Sequence, residues 1–192
     1  MIRAVVLACL IFLTACTTPK SIHPPDAALR AKQTEMFTAR VKELGKNGDW
    51  LVTRGYHFAD DLVATVTNIP LSHVAVLDMD NDQVIEAEGK GVHSTKLKDF
   101  VDKSHRVLLI RPMWAQGNAA EDAVVIARKL IGKKYDFLGT IGINDSKRFY
   151  CSELAIFIYK KYQKEIDHIP KIIEPGQMYL WGQVLYDSRP RN

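Results

Sequence analysis

The stretch "SHVAVLDMDNDQVIEAE", Ser72 to Glu88, constrains the fold more than any other part of the chain. Two apolar runs flank Asp80, Asn81 and Asp82, three residues that favour a tight turn. The pattern predicts an antiparallel hairpin. Residues i and i+2 of a strand share a face. If Met79 pairs with Asp82, Glu88 lies directly opposite His73 and Glu86 lies diagonally, two residues nearer the turn. Both carboxylates are then within reach of the imidazole, and spacing alone does not choose between them.

The remaining pattern mixes helices with further strands. Asp26 is placed to N-cap a helix running to about Leu44, with Phe37, Val41 and Leu44 on one face and Gly45 at its end. "GDWLVTRG" and "RVLLIRP" read as strands. Asn118, with Glu121 three residues on, resembles a capping box. It opens a helix striped by Ala120, Ala123, Val124, Ala127, Leu130 and Ile131 and ended by Gly132. Another helix is expected from Cys151 to about Tyr162. The tail from Ile169 to Tyr186 reads as loops with a short helix or strand. Helices and antiparallel strands are partly segregated, so the class is α+β.

The first residues, "MIRAVVLACLIFLTAC", read as an export signal. Arg3 supplies the positive end, and Ala4 to Leu13 is an apolar run too short to span a bilayer. "LTAC" resembles a bacterial lipobox, with Cys16 as the residue to be acylated after cleavage. The expected organisation is a signal peptide at 1–15, a lipidated Cys16 with a polar, Pro-rich tether to residue 25, and one domain over 26–192. Thr17 after the cysteine points to the periplasmic face of the outer membrane, so the membrane is an expected partner. Cleavage would remove Cys9 and acylation would block Cys16. Of three cysteines, Cys151 alone would remain a free thiol, with no partner for a disulfide.

An unpairable thiol in an exported protein calls for a reason. Cys151 opens its helix, where free backbone N–H groups lower a thiol pKa. A buried, inert cysteine is the bland alternative. A thiolate mechanism needs a base, and His73, on the half-buried hairpin, has carboxylates beside it. The other five histidines lie in the tether, in loops or beside charged runs, and His93 is expected to be exposed.

"LSHVAVLDMDNDQVIEAEGKGV", "IGKKYDF" and "RFYCSELAIFIYKKY" resemble the motifs of the YaeF/YiiX family. These are permuted papain-like amidases related to NlpC-type cell-wall hydrolases, and Gly48-Asp49 matches the family's opening G-D. The resemblance implies a circularly permuted papain-like fold, a small antiparallel sheet packed against helices, with histidine before cysteine in the chain. It implies Cys151 as nucleophile, His73 as base and Glu86, from the E-A match, as the orienting acid. Tyr179 is a candidate second oxyanion donor, because some permuted relatives place a tyrosine in the site. Tyr135 and Asp136 match the family and read as structural.

Other chemistries lack their signatures. No G-x-S-x-G, H-E-x-x-H or paired C-x-x-C is present. Cys151, His73 and His93 have no known metal-ligand spacing, so neither metal nor cofactor is expected. With 26 Lys and Arg against 22 Asp and Glu, and no basic stripe interleaved with aromatics, nucleic acid is not an expected partner. The reading is a cysteine amidase acting on peptide or isopeptide bonds of peptidoglycan stems. Lipid deacylation or acyl transfer, and a non-catalytic envelope-binding module, are the alternatives.

Overall fold

The computed structural model describes residues 22–191. The expected export signal, Cys9, Cys16 and most of the expected tether lie outside the described residues. Among the described residues no helix is long and apolar enough to cross a membrane.

A six-stranded sheet organises the chain, in the order β4-β3-β2-β1-β5-β8. Its strands are β1 (Trp50–Gly55), β2 (His73–Asp78), β3 (Gln83–Glu88), β4 (Gly91–Lys96), β5 (Ser104–Pro112) and β8 (Gly182–Asp187). Every neighbouring pair is antiparallel. The hairpin forms in the predicted register, with Asp78 opposite Gln83 and Ala75 opposite Glu86. Two short strands, β6 (Lys134–Tyr135) and β7 (Arg148–Phe149), pair in parallel beside it.

Both faces of the sheet are covered. On one, Trp50, Val52, Val74, Val76 and Ile85 share a core with α4 (Ala119–Leu130) and α5 (Cys151–Phe157). On the other, Leu51, Ala75, Leu77 and Val84 pack with α1 (Ala27–Leu44) and α3 (Leu97–Asp102). A strand buried on both faces has no solvent side, which is why β1 is buried throughout. The remaining helix, α2 (Phe58–Thr67), lies between β1 and β2 in the chain.

Several elements form for the reasons read in the sequence. Asp26 caps α1, its Oδ1 accepting the N–H groups of Ala28 and Leu29 at 3.1 and 3.0 Å. Phe37 and Val41 are buried as predicted. The Asn118 capping box does not form. Asn118 already has helical dihedrals (φ −84°, ψ −1°), so its side chain makes no cap bond. Glu121 instead accepts from Asn47 Nδ2 at 3.0 Å. Ala119 joins the buried stripe of α4, and Ile131 stays exposed. Helix α5 ends at Phe157, and a separate 3-10 turn covers Lys160–Tyr162. Neither β4 nor α3 has a signal in the sequence. "GVHSTK" has no apolar alternation and is a strand because β3 supplies its partners. Six residues of α3 are too few to show a helical period.

The G-D pair is a structural hinge point. Gly48 has φ +79°, and a Cβ there would stand 2.4 Å from the Tyr159 hydroxyl and 2.9 Å from the Ala120 carbonyl oxygen. Asp49, fully buried, is gripped by Arg111 through two hydrogen bonds of 3.0 and 2.8 Å. Gly48→Ala is therefore expected to cost about 2–4 kcal/mol, from left-handed strain plus displaced packing. Chemical denaturation of the variant checks this.

Candidate active site

His73 and Cys151 each open their element, β2 and α5. That is how they meet, although α5 packs on one face of the sheet and Ala75 and Leu77, which share a face with His73, belong to the opposite core. His73 Nε2 lies 2.7 Å from Glu86 Oε2. The Cys151 thiol stands close enough to the ring for each group to shift the other's pKa. The thiol also lies 3.8 Å from Ser152 Oγ.

Glu86 rather than Glu88 reaches His73 because the β2–β3 ladder stops at Ala75–Glu86. The opposite position expected for Glu88 is never built. Glu86 is fully buried, and its Oε1 accepts from Thr95 Oγ1 at 2.5 Å and Lys103 Nζ at 3.0 Å. Those two donors occupy one oxygen and leave the other for His73. Glu88 is partly exposed and bonds Lys103 at 3.0 Å. His93, expected to be exposed, is half-buried on β4, with Nε2 3.4 Å from Glu86 Oε1. Its place follows from β4, where it stands directly opposite Glu86.

These contacts set the protonation states. Burial disfavours charge on His73, but the Cys151 and Glu86 bonds and charges overcome it and raise its pKa to about 10. Burial pushes the Cys151 thiol up, and His73, Ser152 and the Val74 N–H more than offset this, so its pKa falls below the ordinary value. Burial likewise opposes ionised Glu86, yet His73, Lys103 and Thr95 hold it well below the usual carboxylate range. The directions of these shifts favour a thiolate beside an imidazolium and a carboxylate, a set suited to nucleophilic attack on an acyl carbon.

His73 and Cys151 open onto a cleft of about 580 Å³. Its walls include Leu62, Val63 and Val66 of α2 and, from elsewhere, Ile141, Ile172 and Tyr135. Tyr179 is 54 % exposed and does not line the cleft, so the expected tyrosine position is wrong. Tyr135, read as structural, does line it. Burial, followed by the charge on Cys151, raises its pKa, which keeps the phenol a donor. Asp136 is the structural member of the pair. Its carboxylate accepts the N–H groups of Gly139 and Asp145, each at 2.9 Å, and so holds the following loop.

A model described as "permuted papain-like amidase enzyme, YaeF/YiiX, C92 family" matches residues 53–178. The chain belongs to this family. Its fold is similar to that of metalloprotein YiiX from Escherichia coli O157:H7, with a TM-score of 0.51 at 22 % identity. The likeness covers 61 % of this chain and 66 % of that one, just under two thirds of the solved structure. No curated protein matches. The fold is therefore the expected permuted papain-like α+β fold, its antiparallel sheet built of six strands among the described residues. Membership supports amidase-type cysteine hydrolase chemistry.

The C92 site also groups possible metal donors. One ligand atom each from His73, Glu86 and Glu88 lies within 4.8 Å of the others. The Lys103 ammonium bonds both carboxylates at 3.0 Å, so a positive charge already stands where a cation would be drawn. The donor set fits a thiolate–imidazolium site better than a metal centre.

Glu153, in the "YCSE" motif, closes the start of α5 by accepting the Tyr150 N–H at 3.3 Å. Burial first, then Asp136 and Asp145, raise its pKa from 4.5 to about 7. A carboxyl raised on folding contributes stability below its unfolded pKa and loses it as pH rises through the folded one. Glu153→Gln, which keeps the accepting oxygen, is thus expected to stabilise the protein above pH 7. After discounting for partial exposure the gain is about 1 kcal/mol. Below about pH 4 the variant and the parent should melt together, which thermal scans across pH will show.

Proposed function

We propose that the protein is a cysteine amidase in which Cys151 is the nucleophile, His73 its proton partner and Glu86 the acid that orients His73. The observation that carries this reading is the Glu86–His73 bond with His73 and the Cys151 thiol lining one cleft. The thiolate attacks the amide carbon. The oxyanion is met by the Cys151 N–H, which has no partner within its helix, and by the Tyr135 hydroxyl. His73 gives its proton to the nitrogen as the C–N bond breaks, leaving a thioester. Water, losing a proton to His73, then releases the acid and restores the thiolate.

The cleft favours an apolar acyl group on the carbonyl side of that bond. Leu62, Val63, Val66, Ile141 and Ile172 make much of its wall apolar, and the Lys103 ammonium that also lines it is engaged by Glu86 and Glu88, whereas peptidoglycan stems carry carboxylates that apolar walls desolvate. A long-chain N-acyl amide is therefore the substrate class that best fits, with stem peptides the competing one. An acyl-anchored protein facing the periplasm, as "LTAC" suggests, would meet both. The test incubates the full chain with long-chain N-acyl amides and, separately, with purified sacculi. Fatty-acid release that depends on Cys151 supports the reading. Stem-peptide release alone would move the substrate to peptidoglycan. A thiol that reacts with iodoacetamide no faster than free cysteine would leave only the non-catalytic module.

A further inference from the structure

The two lips of the cleft are apolar on their outer as well as their inner sides. On α2, Leu62 and Val66 are 49 % and 77 % exposed, and across the cleft Ile141 and Ile172 are 66 % and 41 % exposed. All four line the same cleft. Phe137 and Leu138, 64 % and 57 % exposed, extend the second lip outward. Exposed aliphatic side chains are normal singly, but a set gathered round one opening marks an interaction surface.

The charges beside this rim are basic. Lys133, Lys134, Lys147 and Lys171 are exposed, and none is in an ion pair among the described residues. Their positions follow from the fold. Lys134 pairs with Arg148 in the β6–β7 ladder, next to Lys147. The Lys171 side chain and Ile172 both approach Gly142, beside Ile141. Among the neighbouring acids, Asp145 is engaged by Arg148, Asp136 by its own loop, Glu88 by Lys103 and Asp60 by Ser72 and the His57 N–H, while Glu174 lines the cleft without an ion pair among the described residues.

We infer that this rim docks the protein onto an anionic lipid bilayer. The apolar lips enter the headgroup boundary and the four lysines meet lipid phosphates, the pairing that peripheral membrane surfaces use. The cleft mouth then faces the bilayer, and an apolar ligand enters without crossing water. This goes beyond the reaction proposed above and stands whether or not Cys151 is catalytic. A second copy of the chain is the rival occupant, but two such lips would bring their lysines against each other.

The test places a tryptophan at Leu138 (L138W) or at Val125 (V125W) in the full chain. Val125 is 43 % exposed on α4 and outside the cleft. Difference fluorescence against the parent is followed on vesicles of brominated phosphatidylethanolamine containing phosphatidylglycerol. Because both probes share the same N-terminus, an acyl anchor affects them equally. The expected result is a blue shift and quenching for L138W and neither for V125W. Joint K133E, K134E and K171E substitutions should weaken the quenching by about tenfold or more. Equal quenching at both positions, or none at Leu138, overturns the inference. So does a concentration-dependent dimer that buries L138W without lipid. Leu138→Asp, which should abolish docking, is expected to leave the iodoacetamide rate of Cys151 unchanged, separating this face from the thiol chemistry.

Discussion

Cys151→Ala protein is expected to fold and to turn over no substrate. Removing the nucleophile of a Cys-His-acid site leaves only binding and oxyanion stabilisation, so kcat/KM should fall by about 10⁴-fold or more. The fold should survive, because the helix that Cys151 opens is held by residues that stay. Leu154, Ala155 and Ile158 are buried beneath it, and the Tyr159 hydroxyl donates to the Gly48 carbonyl at 3.0 Å. Alanine fits the space of a small buried thiol, and the His73–Glu86 bond does not depend on sulfur. Thermal melting within a few degrees of the parent, together with loss of turnover, is the combined result to measure. Turnover close to that of the parent would sink the mechanism.

Glu86→Gln should produce the next largest change, and in a direction that pH can read. The carboxylate stabilises the His73 imidazolium, so its loss lowers the His73 pKa from about 10. A less charged His73 stabilises the thiolate less, so the Cys151 pKa rises. The window of pH that holds the ion pair then narrows from both sides: the acid limb moves up and the alkaline limb moves down. Turnover at neutral pH is expected to drop by about 10²–10⁴-fold. The iodoacetamide rate of Cys151 across pH should show the narrowed window without a substrate. Stability should fall by about 2–3 kcal/mol, because Lys103 loses a buried partner but can still turn to Glu88. Glu88→Gln is the control. Its carboxylate does not bond His73, so the pH window should stay in place. A shift as large for Glu88→Gln as for Glu86→Gln would mean that general charge near the cleft, not the Glu86–His73 bond, sets the pair.

Part of this site is legible in the amino-acid sequence alone. The turn residues Asp80, Asn81 and Asp82 set the hairpin register, and the register brings carboxylates to His73. The N-terminal position of Cys151 on its helix, with Leu154, Ala155 and Ile158 on the buried side, follows from periodicity. The features that differ from expectation share one cause. Local spacing gives Asn118 a cap role, but its dihedrals are helical and Glu121 bonds Asn47, 74 residues away. The polar neighbours of His93 suggest exposure, but pairing with β3 carries it inward. Lys103 has no signal at all, since a lysine after a short helix is ordinarily a solvated one.

The features legible in the residues alone are local: turn chemistry, strand alternation, the α1 cap, the order of histidine before cysteine, and a family likeness carried by short motifs. Long-range packing decided which glutamate bonds His73, because that depends on where the β2–β3 ladder ends. It also decided which tyrosine lines the cleft. The motifs point to Tyr179 and leave Tyr135 structural, but the β6–β7 ladder places Tyr135 at the cleft, and Tyr179 stands exposed on a separate turn. The cleft and its apolar rim are assembled from α2, the loop after β6 and the segment around Ile172, and no spacing rule links them. Contacts between residues far apart in the chain depend on how whole elements pack, and local propensity does not encode that.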